Sequence, residues 1–345
     1  MNTIFNLGYG LSPKGYWYGF PDTWETATLE KRIVTNLQKI EPCDLFVNAV
    51  WGFNDYEHPI TGVVDNKFNI TLDLVKNHSV KKILFYNFVD PMYDDSEWYS
   101  VLEECSRIIG IENIKVAGFI NTDKFKQDIS VQFWAIYQSE AFQKYNTDQL
   151  RSNPFEHLYL CYNRKPTSHR KSLYNSFEKN DILRQGIFTL GNEDPSKVKL
   201  INNKISFKNL DVHGNFNIPN DTVSLGPLEQ WNKCFLVIVT ETDNNSTTKV
   251  PFLSEKIWKP LIGMRPFLCL GDKGTIKLLN QAGFYTFNEF FGLNKDDLTV
   301  EDITNALKNY KGDMETDFKN LQDKLTHNRL RFFSYAQEQK NLVNL

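Results

Sequence analysis

A serine, a glutamate and a lysine stand side by side in "FLSEKIWKPLIGMRPFLCLG" (252–271), between two apolar segments. Ser254 reads as the cap of a short helix, with Glu255 and Lys256 in its first turn. A glutamate there suits the helix dipole, whereas a lysine does not. Pro260 falls inside the same helix, where a proline removes a hydrogen bond and should bend or shorten it at a cost of roughly 3 kcal/mol. Local rules broken together in one place point to a site. A kinked surface helix is the other reading.

Two further stretches carry chemistry of a matching kind. "YNRKPTSHRKS" (162–172) leaves a strand pattern and enters a helix with Arg164, Lys165, Arg170 and Lys171. Cations and free backbone amides at a helix start favour phosphate; a solvated basic turn is the alternative. In "VTETDNNSTTKVPFL" (239–253), Glu241 ends a strand before a polar loop. A phosphate-binding lysine beside a glutamate that accepts from sugar hydroxyls would grip a nucleoside diphosphate at both ends. In the first half, Asp55 follows a strand in "WGFND", Asp90 ends one in "NFVDP", and Asp22 closes an aromatic loop. Each could serve as a general base or as a turn former. Tyr16, Trp17 and Tyr18 could stack on a sugar or base, or pack on one another. His58, His169 and His213 stand apart without metal-ligand spacing and read as structural.

These residues need a scaffold, and the composition supplies its outline. At 345 residues, 41% hydrophobic and 23% charged, the chain is globular and long enough for two cores. The N-terminus shows no basic segment leading into an apolar one, so no signal peptide is expected. No apolar run approaches the ~20 residues that cross a bilayer, so no transmembrane segment is expected either. Five scattered cysteines (Cys43, Cys105, Cys161, Cys234, Cys269) read as buried thiols of a reducing compartment, hence a cytoplasmic protein. Residues 1–150 carry 13 Lys/Arg against 20 Asp/Glu, while residues 151–345 carry 26 against 22. The second half is therefore the better home for an anion, though not for a broad polyanion.

Strand and helix patterns alternate along the chain. The strand-like segments are 2–10, 44–52, 81–91 and 114–119, with helix patterns at 23–40 and about 96–109. A polar stretch at 145–156 marks a boundary, giving domains 1–150 and 157–345. The alternation restarts with strands at 157–163, 185–191, 234–241 and 265–271, and helices at 168–180, 228–234, about 274–282 and from 296 onward. Residues 192–223 read as an irregular excursion. The fold class is α/β, with parallel sheets covered by helices and ligands beyond the carboxyl ends of the strands.

The second domain resembles a known family. Glu241, a polar loop, Ser254-Glu255-Lys256 and the strand "RPFLCLG" are similar to the donor-binding motif of the α-1,3-fucosyltransferases, glycosyltransferase family 10. "CYNRKPTSHRKSLY" resembles that family's second diphosphate contact, and "GTIKLLNQAGFYTF" (274–287) resembles divergent, often phage-encoded relatives. The likeness covers roughly residues 157–290. It implies a GT-B architecture, two Rossmann-like domains facing a central cleft, with the acceptor on the first and the nucleotide sugar on the second. By that likeness Arg170 and Lys256, with Arg164 nearby, hold the diphosphate, Glu255 the ribose hydroxyls, and Glu241 lies near the sugar. No metal and no cofactor beyond a GDP- or UDP-linked sugar is implied, and the chain has no Asp-x-Asp triplet. The loop after Glu241 is long, and Thr242-Asp243 replace the family's usual Asn-Ser, so the sugar stays open.

The expected activity is glycosyl transfer to an acceptor hydroxyl, with Asp90 or Asp55 as the base. The acceptor is a glycan or lipid-linked sugar or, following the phage-like segment, a hydroxymethylated DNA base. The acidic first half weighs against DNA, whose binders usually present a basic face. A non-catalytic nucleotide-binding module is a further reading, against which Arg170 and Lys256 stand. "LGYG" (7–10) is too short a fragment for a dinucleotide enzyme. The helical tail, with "NRLRFFSYAQ" (328–337), either touches a membrane surface or packs back on the protein.

Overall fold

The computed structural model describes residues 5–7, 24–49, 55–92, 97–120, 129–143, 150, 154–163, 166–191, 198–200, 225–226, 228–242 and 251–344. The chain divides into two compact units, Met1–Ile136 with Gln337–Leu345, and Tyr137–Ala336. The division falls inside a helix, α4 (Phe133–Phe142), earlier than the polar stretch at 145–156.

The first unit holds a parallel sheet of β1 (Phe5–Leu7), β2 (Leu45–Asn48), β5 (Ile83–Met92) and β6 (Ile114–Ile120), in that order. All of β2 is buried, as parallel strands covered on both faces must be. Between β2 and β5 the chain makes an antiparallel hairpin, β3 (Asp55–Glu57) with β4 (Val64–Asn66), and then α2 (Lys67–Asn77). Asn66 caps α2 by accepting a hydrogen bond from the Asn69 backbone N–H at 2.8 Å. Helix α1 (Trp24–Ile40) follows β1, and α3 (Glu97–Ile109) follows β5. Phe68, Leu74 and Val75 of α2 share a core with Leu102 and Cys105 of α3 and with Leu45, Val47, Ile83 and Phe85 of the sheet.

The second unit is wound differently. Its sheet runs β11 (Phe267–Leu270), β10 (Cys234–Thr240), β7 (His157–Cys161), β8 (Gly186–Gly191), β9 (Val198–Leu200); all neighbours are parallel except β9 on β8. From β7 the chain passes through α5 (Ser168–Lys179) to β8 on one side. It returns through α6 (Leu228–Lys233) to β10 on the other side of β7, then through α7 (Glu255–Ile262) to β11. The winding therefore reverses between β7 and β10, the kind of point at whose carboxyl ends open α/β sheets bind their ligands. Helices α8 (Thr275–Gln281), α9 (Val300–Asn309) and α10 (Met314–Leu342) complete the chain.

Helix α7 is short for identifiable reasons. Ser254 caps it, accepting from the Lys256 backbone N–H at 3.2 Å. Pro260 sits in its last turn, and the helix stops two residues later without a continuing segment. The Arg265 N–H returns to the Pro260 carbonyl at 3.0 Å across Met264, which takes the left-handed conformation (φ 53°) ordinarily given to glycine. The glycine stands one place earlier because Gly263 lies against the Trp231 indole, whose Nε1 donates to its carbonyl at 3.1 Å. Trp258 packs on Phe284, Phe332 and Tyr335, so "NRLRFFSYAQ" turns its buried side back onto the second unit.

Arg265 anchors the amino-terminal ends of β10 and β11. Its fully buried guanidinium donates to the carbonyls of Cys234, Gly263, Met264, Leu150 and Trp231, and packs near the rings of Phe155 and Phe318. All five cysteines are buried free thiols, with Cys161, Cys234 and Cys269 in strands. Among the described residues no helix is long and apolar enough to cross a membrane.

Candidate functional site

Buried hydrogen bonds lock the strand ends at the reversal point together. The Thr240 hydroxyl at the end of β10 donates to Asn163 Oδ1, just past β7. The Asn163 N–H donates to the Thr189 hydroxyl of β8 at 2.8 Å, and its side-chain amide reaches the Cys161 sulfur at 3.2 Å. The first turn of α5 reaches over the same place. Arg170 Nη2 donates to the carbonyls of Thr240 and Glu241, both at 3.0 Å. His169 Nε2 donates to the Glu241 carbonyl at 3.1 Å, which leaves Nδ1 to accept from the Thr167 hydroxyl at 3.2 Å. Two side chains of α5 thus hold the backbone of Glu241 from one side.

The Glu241 carboxylate points into the protein and is 1% exposed. It packs on Gly271, where a Cβ would stand 3.1 Å from Glu241 Cγ, so the glycine after β11 makes room for it. Oε2 accepts from the Ser254 hydroxyl. Oε1 is buried with no hydrogen-bond partner among the described residues. Burial pushes the Glu241 carboxyl up to about 7, against the lowering pull of the Lys256 ammonium and the Ser254 hydroxyl.

Lys256 ties this acid to a second one. Its Nζ lies 2.7 Å from Glu255 Oε1, 3.1 Å from the Thr242 hydroxyl and 3.3 Å from Ser254 Oγ. The Ser254 oxygen therefore donates to Glu241 while accepting from the backbone and the ammonium of Lys256. Glu255 is mostly buried, which by itself would raise its carboxyl. The adjacent Lys256 and the nearby Lys259 outweigh that and hold it at about 2. Gln138 of α4 fixes the same turn by donating to the Glu255 carbonyl at 2.9 Å. The result is one partly exposed cation at a helix N-terminus, serving two carboxylates, one ionised and one poised to titrate near neutrality. Such an arrangement can meet an anionic oxygen at Lys256 and hydroxyl groups at Glu255, while the Glu241 carboxylate is buried.

The structure brings Glu241, Ser254, Glu255, Lys256 and Arg170 together. Arg170 commits Nη2 to the strand end, so it builds the site as well as lying beside it. Tyr16, Trp17, Tyr18, Asp22, Arg164 and His213 lie outside the described residues. Asp55 and Asp90 are described in backbone alone. Asp55 opens β3, paired with Asn66 of the hairpin, and Asp90 lies within β5, in the stretch between Asn87 and Met92 where its pairing with β6 shifts register. Sequence reasoning missed Asn163, Thr240 and Gln138. The first two are polar residues at strand ends, a usable signal once strand order is known. Gln138, in an apolar helix 117 residues from its partner, gave no signal.

Among the described residues, two polar groupings flank α2 in the first unit. His58, Asp73 and His78 gather with their ligand-type atoms within 4.8 Å of one another. His58 Nε2 is 3.0 Å and His78 Nε2 3.2 Å from Asp73 Oδ2. His58 Nδ1, however, accepts the backbone N–H groups of Ile60 and Thr61 at 3.2 and 3.1 Å. That places the ring proton on Nε2, donating to Asp73, and leaves no lone pair there for a metal ion. The cluster clasps the β3–β4 loop to α2, and the structural reading of His58 gains this partner set. Nearby, Lys67 opens α2 fully buried, with Nζ donating to the Asn48 carbonyl at 2.8 Å and lying 4.9 Å from the Tyr56 ring centre. Burial lowers its ammonium to about 7.

Comparison of the chain with protein-family models, with curated proteins and with solved structures finds no match.

Proposed function

We propose that this chain is a nucleotide-sugar-dependent glycosyltransferase of the GT-B type, with the donor on the unit of residues 137–336 and the acceptor on the other. The observation that carries the reading is the Glu241–Ser254–Lys256–Glu255 constellation at the point where the second sheet reverses its winding. The likeness of these residues to the family 10 donor motif supports it independently of their geometry.

In this reading Lys256 neutralises the leaving diphosphate, helped by the N-terminus of α7, and no metal ion is required. Glu255 accepts from the ribose hydroxyls, and Glu241 lies near the sugar. Asp90 or Asp55 takes the proton of the acceptor hydroxyl as its oxygen bonds to the anomeric carbon and the bond to the diphosphate breaks. The acidic balance of residues 1–150 favours a glycan acceptor over DNA.

A thermal-shift panel of GDP, UDP, ADP and CMP tests the reading. A ligand at a hundred times its dissociation constant stabilises the folded state by about 2.7 kcal/mol. One diphosphate should raise the melting temperature, in EDTA as without it, and Lys256→Ala should abolish that rise. A panel with no shift would overturn the reading.

A further inference from the structure

We propose that a diphosphate which takes Lys256 drives a proton onto Glu241, so that the donor site binds its ligand and a proton together. The inference rests on the donor-site reading above and deepens it.

The argument is one of counting donors and charges. An ammonium has three N–H groups, and Lys256 already has three oxygen partners within hydrogen-bond distance: Glu255, Thr242 and Ser254. A diphosphate oxygen must displace at least one of them. It also brings negative charge to a place where two carboxylates already draw on the Lys256 ammonium, the only cation acting on the Glu241 carboxylate among the described residues. Three anionic groups cannot share that ammonium in a desolvated setting, and one of the two carboxylates must become neutral.

The surroundings decide which. Glu255 keeps 16% of its side-chain surface and has Lys259 as a second cation. Glu241 is 1% exposed, and its Oε1 has no donor among the described residues. Among the described residues, the charged and titratable groups near Glu241 are few. From α7 come Glu255 and Lys256; from α5 come His169 and Arg170, which act on its backbone carbonyl; from β11 and the turn after it come Cys269 and Asp272. Lys256 acts on the Glu241 carboxylate through its charge alone, and none of these groups places a cationic hydrogen-bond donor on it. Its carboxyl titrates near neutrality even before a ligand arrives. The proton comes from the buffer, converting the carboxylate into a carboxylic acid. Oε1, which could only accept, can then carry an O–H.

Isothermal titration calorimetry with GDP and UDP, at pH 7 to 9 in buffers of different ionisation enthalpy, tests this. Wild-type protein should take up close to one proton at pH 8, and its affinity should fall by up to about tenfold for each pH unit above neutrality. Glu241→Gln keeps the size of the side chain and an acceptor for Ser254; it should bind without that uptake and with a flatter pH profile. Binding without uptake by wild type, or with equal uptake in Glu241→Gln, would overturn the proposal and leave the donor site standing. If neither nucleotide binds wild type, the proposal and the donor-site reading fall together. The wild-type pH profile decides the matter even if the variant folds poorly.

Discussion

The Ser254 hydroxyl donates to Glu241 Oε2, joining the first residue before α7 to the first residue after β10. The same oxygen accepts the Lys256 N–H that starts the helix. One serine thus caps a helix, fixes a buried acid and aligns a lysine. Its place at the winding reversal of the sheet gives a short polar segment the character of a site.

Glu241 should make the protein less stable as the pH rises. Its folded carboxyl titrates near 7 against an ordinary value of 4.5, so between those values the native state holds the proton more tightly than the unfolded chain. Stability from this group is full below pH 4.5, declines through the window and is lost above 7, a total of about 3 kcal/mol. Urea unfolding at pH 5 and pH 8 should show Glu241→Gln gaining on wild type at the higher pH. Glu255, held at about 2, does not titrate in that interval. A constant difference between variant and wild type would contradict the assignment.

Arg265 should be among the least replaceable residues outside the site. Removing the guanidinium takes a hydrogen bond from five backbone carbonyls, of which Gly263 keeps the Trp231 indole N–H, and Lys cannot span them because it lacks the planar fork. Arg265→Lys and Arg265→Met are each expected to lower stability by about 3–5 kcal/mol. Denaturant midpoints measure this; a loss under ~1 kcal/mol would mean that the carbonyls find water.

Gly263 is required by packing, not by backbone conformation. Its φ of −81° suits any residue, yet a Cβ there would collide with the Trp231 ring. Gly263→Ala should destabilise by about 1–3 kcal/mol, and the smaller Trp231→Phe should recover part of that loss in the double variant. Additive losses would show that the two residues do not meet.

The His58 clasp should ignore metal ions. With Nδ1 taken by two backbone N–H groups, zinc has no lone pair to bind on this ring. Zinc chloride should leave the melting temperature unchanged in wild type and in Asp73→Asn alike. A stabilisation by zinc that Asp73→Asn removes would show that the ring can turn and that the cluster binds metal. His58→Ala should lower stability by about 1–2 kcal/mol through the lost turn bonds.

Much of the local structure was legible along the chain. The apolar runs of β7, β10 and β11, the helical spacing of α1 and the serine cap of α7 all appear where local pattern places them. Two helices were hidden. In α2, "FNITLDL" alternates with the period of a strand, and the helix is set by the Asn66 cap and by packing on the sheet. In α4, "FWAIYQSEAF" is apolar on nearly every side, so no face stands out. Lys67 reads as an ordinary charged residue and is fully buried.

What the amino-acid sequence determined by itself is therefore the order and kind of most elements and the residue types able to bind an anion. These rest on periodicity, capping and turn chemistry, which act over a few residues. The tertiary structure alone decided that β10 lies beside β7, and hence that His169 and Arg170 meet Glu241 across about 70 positions and Gln138 meets Glu255 across 117. It also decided that Glu241 is desolvated, and desolvation turns an ordinary glutamate into one that titrates near neutrality. Burial and strand order are properties of the assembled sheet, and no short stretch of chain contains them.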